Sequence, residues 1–501
     1  MVGLLAVDLG SLGENLDPIS IGTTDTVNSL DPAGDYNAGS WALYNNVYQS
    51  LMTIEKGTNE PVPDAAKECN FEARSLDLFT CTLRDDIQFS SGREMTVEDV
   101  KFSIDRILKI NSDLGPASLF SNVKSIDTRD DRVTFRLSAP DVTFPYKLST
   151  GAASIVDRTK YSGNKVRQGY DVDGSGPYRL SSYVPGVRAE LTPSSRYNGA
   201  AKRPDIPINV KYFKDPNSLR AAWDNRQVDV AHRYLPADFI EKLTMQPEGG
   251  ELLGSEGTET RQMVLNVRVN SATSDPVVRK AISDTLDRGK ISEVYRQTVE
   301  PLYSLIPTGI TGHGTPFFDS NPYPNPGRAR KMLKDAGIKV PVRIKIGYRL
   351  SGTAPEGEAK EIKRQLESSG LFVIQLALQK DWGRFQKDFA ASKYDAYLGG
   401  WLPDFPDPDN FTSPLVGEDG ALNNGYSNSE INRLIAVNAT HWDRAATRNN
   451  FRRINVIVSE EVPIIPLWQR EEYVAAIDTV KGTAGLVDAA SIWRLWELRR
   501  I

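Results

Sequence analysis

The chain has 501 residues, of which 40% are apolar and 25% charged, with a formal net charge of −5. That length exceeds what one hydrophobic core usually supports and predicts two or more domains. The acidic balance, with basic residues dispersed among acids, argues against a nucleic-acid partner, and no apolar run of about 18 residues is present to span a membrane.

Met1–Gly13 contains a short apolar stretch with no basic region ahead of it, so it reads as a terminus rather than a complete export signal. Cys69 and Cys81 lie symmetrically about Ser75 in a run that reads as a β-hairpin. Residues opposed across such a ladder are close enough to oxidise. A disulfide, implying an oxidising compartment, is the favoured reading; two buried free thiols are the alternative.

Thr96-Val-Glu-Asp99 forms a capping box that opens a helix, with Val97, Val100, Ile104 and Leu108 on one stripe. Val133–Leu137, Gly176–Leu180 and Met263–Val267 have the residues of strands. Asp275-Pro276 places an N-cap before a first-turn proline, ahead of Val278, Ala281, Ile282 and Leu286 at helical spacing. Ala329, Met332, Leu333 and Ala336 predict a helix stopped by Gly337, and Ala359, Ile362 and Leu366 one stopped by Gly370. Val342–Ile346 lies between them as a strand. Trp382, Phe385 and Phe389 mark a short aromatic-faced helix, and Val462–Leu467 reads as extended. The alternation predicts a mixed α/β chain, richer in hairpins between residues 50 and 190.

Enzyme signatures are missing: no G-x-S-x-G elbow, H-E-x-x-H pair or phosphate-binding loop occurs. Gly309–Gly314 lies between prolines and reads as a turn. The three histidines, His232, His313 and His441, are too scattered to suggest zinc. Asp404, Asp407 and Asp409 could suggest calcium, but two intervening prolines stiffen the segment, so neither metal nor cofactor is expected. The same region is the most unusual in the chain. A strand from Tyr394 ends in Gly399, Gly400 and Trp401, with Asp404 three residues beyond. Glycines at a strand end admit another backbone or a ligand. A carboxylate beside an indole wall suits an ammonium group. A turn with a solvated Asp404 and a core Trp401 is the plainer alternative.

Several blocks, taken in order, resemble the extracellular solute-binding proteins of family 5, the peptide- and nickel-binding receptors of bacterial ABC importers. They are Thr26–Pro32, Val47–Leu51, Leu83–Gly92 with Thr96–Arg106, Gly174–Tyr178, Ser194–Asn198, Val278–Arg288 and Trp401–Pro408. The resemblance runs from about Thr24 to Lys481. It implies a bilobal α/β periplasmic-binding-protein fold (type II, cluster C) with an extra subdomain on the first lobe. The implied division is lobe I over 1–49, 191–268 and 479–501, the subdomain over 50–190 and lobe II over 269–478. Two crossing strands are expected near Asn266–Asn270 and Arg470–Asp478.

The resemblance also implies a binding set. Asp404 would pair with a peptide α-amino group, and Gly400, Trp401 and Leu402 would meet its main chain. Arg349 would hold its C-terminal carboxylate, and the facing loop of lobe I would supply Tyr36, Asn37, Ala38 and Gly39. The implied protein is a non-enzymatic receptor that closes on a peptide and delivers it to a membrane permease. It is expected to be monomeric and extracellular, cell-surface or periplasmic. Many relatives carry a lipid-modified N-terminal cysteine, and no cysteine precedes Cys69 here. A nickel-chelate, oligosaccharide or other small-solute binder of the same fold is the alternative.

Overall fold

The computed structural model describes residues 17–72, 76–245, 250–296, 298–349, 355–418, 420–486 and 492–501. Eleven strands form one mixed sheet that runs through the whole molecule. At one end Ile19–Thr23 lies parallel to Ile208–Tyr212 and Val230–His232, continued by the antiparallel Arg188–Pro193 and Tyr178–Val184. At the other end Val342–Tyr348, Phe372–Leu378 and Ala396–Trp401 run parallel. Two long strands, Glu251–Leu265 and Ile464–Ala476, join the halves.

These two strands change company midway. Residues 251–256 pair with 471–476, whose end also pairs with Val230–His232 in the first half. After a break between Glu256 and Thr260, residues 260–265 pair with Ile464–Gln469 on one side and Ala396–Trp401 on the other. The first crossing therefore lies upstream of the expected Asn266–Asn270, because the ladder, not the end of the apolar run, sets where the chain changes lobe. Burial follows the same division. Val474 and Ala476 pack into one large core with Ile19, Ile21 and Val210, whereas Ile464, Ile465 and Leu467 pack into another with Ile344, Ile346 and Ile362.

A separate four-stranded antiparallel sheet, in the order Ala66–Phe71, Leu78–Leu83, Arg132–Leu137, Val123–Arg129, packs against the helix Val97–Ile110. Its apolar residues, including Phe79, Val133 and Phe135, share the first lobe's core with Ile104 of that helix. Cys69 faces Cys81 across this ladder, and the two sulfurs are bonded. The turn expected near Ser75 lies outside the described residues.

The helix Val97–Ile110 begins with the expected capping box, in which Asp99 Oδ2 accepts from the backbone of Thr96 at 2.9 Å. It also carries Arg106, buried with Asp31 in a two-pronged pair at 2.6 and 2.7 Å. Asp31 accepts as well from the backbone N–H groups of Ala33 and Arg167. The pair ties the subdomain helix to the opening segment of lobe I.

In lobe II, Asp275 caps Pro276–Thr285, and Gly337 and Gly370 follow their helices at φ 71° and 70°. One expectation fails locally. Val462 is not extended but ends the helix Arg444–Glu461 at φ 51°. Pro463 disfavours the right-handed helical region for the residue before it, so the strand starts only at Ile464.

Candidate ligand-binding site

The strand Ala396–Trp401 pairs along its full length with Thr260–Leu265. On its other edge only Ala396 and Tyr397 are paired, with Ile346 and Gly347. Past that point the two parallel strands separate, and Leu398–Trp401 has no ladder partner on this side among the described residues. Gly400 is exposed, and a Cβ added there would meet nothing closer than 3.5 Å. The result is a wedge in the sheet, closed at Tyr397 and open toward Trp401. Unpaired strand edges recruit extended chains through main-chain hydrogen bonds.

Asp404 stands beyond the open end. Its backbone N–H donates to Asn410 Oδ1 at 2.9 Å, and Trp401 Nε1 donates to the same oxygen at 3.3 Å. Asn410 thus fixes the indole and the aspartate relative to one another. The Tyr36 hydroxyl donates to Asp404 Oδ2 at 2.7 Å, joining the first lobe to the second. Tyr36 is held in place by stacking on Trp41, with ring centroids 5.2 Å apart.

Burial pushes the Asp404 carboxyl up to about 6, and the Tyr36 and Asn410 hydrogen bonds and the Lys147 charge only partly oppose this. The acid form therefore dominates below about pH 6 and the carboxylate above it. Binding of a cation at Asp404 is expected to weaken about tenfold between pH 7 and pH 5. Calorimetric titrations of a free-amine ligand across that range check this; an affinity independent of pH would remove Asp404 from cation binding.

Arg349 follows the partner strand two residues beyond Gly347, past the closed end of the wedge and on the side facing its open edge. Its guanidinium lies 4.9 Å over the Trp382 ring, and its buried Nε has no hydrogen-bond partner. Burial lowers its pKa, and the Arg261 charge lowers it further. Arg261, opposite Gly400 in the ladder, is neutralised by Glu358 at 2.9 Å, and Glu358 also accepts from Trp468 Nε1 at 2.8 Å. Arg261 Nη1 lies 3.9 Å from where a Gly400 Cβ would be. Among the described residues Arg349 forms no ion pair, and the nearby Asp381 charge only partly opposes the lowering of its pKa.

The structure brings Tyr36, Trp401, Gly400 and Asp404 together, with Leu402 half-buried between the last two. The remaining lobe I candidates serve their own loop. Asn37 caps the helix Ala38–Val47 by accepting from Ser40 N–H, and it also donates to Asp35. Ala38 begins that helix. Gly39 is buried, where a Cβ would come within 2.4 Å of the Thr26 carbonyl oxygen. Asp407 and Asp409, weighed above as metal ligands, have other surroundings. Asp407 pairs with Arg444 at 2.7 Å, and burial beside Asp407 pushes Asp409 up to about 7.

Sequence reasoning missed Asn410, Trp382 and the Arg261–Glu358 pair. It also missed a cluster at the crossing. Glu259 accepts from Arg470 Nε at 3.0 Å and from the Tyr234 hydroxyl at 3.2 Å, next to Arg233 and Asp25 at 3.4 Å. Only Asn410, at the end of the Asp404–Asn410 segment, lay within a stretch the sequence marks as unusual.

Two lobes on a shared strand pair, meeting around an open strand edge, define a bilobal binding protein. The family model of the bacterial extracellular solute-binding proteins, family 5, matches residues 60–423, and the chain belongs to that family. It is similar to "Probable D,D-dipeptide-binding periplasmic protein DdpA" of Escherichia coli K12, at 26% identity over 93% of this chain and 91% of that one. Among solved structures it resembles the periplasmic binding protein DppA of Helicobacter pylori in complex with the peptide STSA. That match has a TM-score of 0.82 and 19% identity, and covers 97% and 98% of the two chains. It also resembles AgaA of A. tumefacien R10 in complex with agropinic acid, with a TM-score of 0.83, 20% identity and coverage of 97% and 99%. The expected bilobal fold and family are thereby established. Among the described residues no helix is long and apolar enough to cross a membrane.

Proposed function

We propose that the protein is the substrate-binding component of an ABC importer and captures peptides between its lobes. The observation that carries this reading is the edge Leu398–Trp401, without a ladder partner among the described residues, with the Asp404 carboxylate beyond its end and Arg349 on the continuation of the facing strand. An extended zwitterion matches that order of groups. Its backbone would complete the ladder, its ammonium would meet Asp404 and its carboxylate would meet Arg349. Main-chain pairing gives affinity that is largely indifferent to side-chain identity. Tyr36, reaching Asp404 from the other lobe, makes the closed form the one with most ligand contacts, and such differential affinity is what shifts a hinge equilibrium. Periplasmic binding proteins as a class close about a hinge on their ligands in this way.

The receptor acts by binding and release, without a chemical step, and hands its load to a membrane permease. It works as an exported monomer, free or lipid-anchored. Lobe I takes residues 1–49, 191–256 and 471–501, the subdomain 50–190 and lobe II 260–469, because the two long strands change partners between Glu256 and Thr260. Asn37, Ala38 and Gly39 shape the rim opposite Trp401, and Leu402 extends the main-chain contact.

Calorimetry with a dipeptide acid and its C-terminal amide tests this reading. Wild type is expected to prefer the acid by about 30-fold or more, consistent with a buried charge pair worth about 2 kcal/mol or more. Arg349→Ala is expected to bind both forms alike. A wild type blind to the difference would point to a neutral solute or a metal chelate instead.

A further inference from the structure

We infer that the subdomain and lobe II carry a closure latch outside the ligand site, and that this latch weakens when Asp409 gives up its proton. The inference rests on the reading that the lobes close on a ligand, and adds what holds them shut and what releases them.

The latch lies where residues 141–147 and the strand Ala66–Phe71 of the subdomain meet residues 405–409 and 439–444 of lobe II. Tyr146 stacks on Phe405 with ring centroids 5.5 Å apart, and Val142 N–H donates to the Ala439 carbonyl at 3.0 Å. Trp442 leans edge-on against Phe71 at 6.0 Å. Phe71 in turn meets Phe79, and Phe79 meets Phe144, so a file of rings runs from lobe II into the subdomain's core. Trp442 is 60% exposed and part of neither lobe's core, and the ring it meets is across the interface. Opening the lobes would separate these contacts.

Charges line the same interface. Asp141 of the subdomain accepts from Lys147 Nζ at 2.7 Å, and Asp407 of lobe II pairs with Arg444 at 2.7 Å. Both cations are thereby committed. Asp409 forms no ion pair among the described residues, and its buried Oδ1 has no hydrogen-bond partner. Facing it are Asp407 and Arg444 from its own lobe and Asp141 and Lys147 from the subdomain. These charges cancel in pairs, so an ionised Asp409 adds an uncompensated negative charge to the interface. Tyr146, which borders Asp407, Arg444 and Glu60, stays neutral because burial raises its pKa.

Burial, and next the Asp407 charge, push the Asp409 carboxyl up to about 7. In the open form this carboxyl is hydrated and parted from Asp141, so its pKa falls toward the ordinary carboxylate range. A group whose pKa is raised by closure takes up a proton on closing. Closure is therefore favoured at low pH and weakens as the pH rises toward 7 and past it. Between pH 6 and pH 8 the closing equilibrium falls by about tenfold. The Asp404 titration acts in the opposite direction, since its carboxylate form is the one that binds a cation.

The test compares wild type with Asp409→Asn, a near-isostere that cannot ionise, by calorimetry on a dipeptide at pH 6 and pH 8. Titration of Asp404 and of the ligand amine acts on both proteins alike and cancels in the ratio of their affinities. Relative to wild type, Asp409→Asn is expected to bind about tenfold more tightly at pH 8 than at pH 6. A ratio that does not change with pH would overturn the proton control. Trp442→Ala is expected to weaken a dipeptide acid and its C-terminal amide by the same factor, about threefold to tenfold for one lost aromatic pair. Unchanged affinity for both would overturn the latch and leave the peptide reading standing. Failure of every peptide to bind would sink the peptide reading alone, and X-ray scattering of the ligand-free chain then decides the latch. Trp442→Ala is expected to be more extended than wild type at pH 6, and wild type more extended at pH 8 than at pH 6; identical profiles would overturn the inference.

Discussion

Asp404→Ala will weaken a free-amine peptide by about 30- to 1000-fold, corresponding to about 2–4 kcal/mol for one partner of a desolvated, hydrogen-bonded ion pair. An N-acetylated peptide, which brings no ammonium, will change by less than about threefold. The difference arises because only the free amine can pair with the carboxylate, which Asn410 Nδ2 and the Tyr36 hydroxyl hold in one orientation by donating to its Oδ2. Calorimetry on the four protein–peptide combinations separates this from a general loss of closure. Equal losses for both peptides would mean that Asp404 holds the lobes together and does not recognise an amine.

Arg106→Ala will lower stability by about 3–5 kcal/mol, the usual cost of leaving one partner of a buried ion pair uncompensated. Both side chains are only 1% exposed, so water cannot replace the lost guanidinium. Asp31 would be left buried with the N–H groups of Ala33 and Arg167 as its partners, while Ser162 and Lys165 would lose the N–H donors that now reach their carbonyls. Urea denaturation measures the shift. The double variant Arg106→Met, Asp31→Leu should recover much of it, because replacing a buried pair by apolar groups of similar volume is often near neutral. A single variant as stable as wild type would show that the opening segment and the subdomain helix are not coupled through this pair.

Much of the local architecture is written in short-range signals. The capping box at Thr96–Asp99, the Asp275 cap, and Gly337 and Gly370 at positive φ all appear where nearest-neighbour chemistry places them. The pairing of Cys69 with Cys81 was legible for a related reason: two strands joined by a short turn have few possible registers. Val462 misled because a β-branched residue before apolar neighbours reads as strand, while Pro463 behind it dictates a helix end.

By itself the sequence determined the alternation of helices and strands, the disulfide ladder and the ordered motifs of the family, and it singled out the Gly400–Trp401–Asp404 segment as unusual. Only the tertiary structure decided that Tyr36 meets Asp404 from 368 positions away, that Arg106 neutralises Asp31, and that two strands part after Tyr397 to leave an edge without a ladder partner among the described residues. The reason is physical. Caps, turns and periodicity are settled within a few residues, whereas a buried charge finds its partner and a strand edge its vacancy only once distant segments have packed, and no local pattern encodes which segments those are.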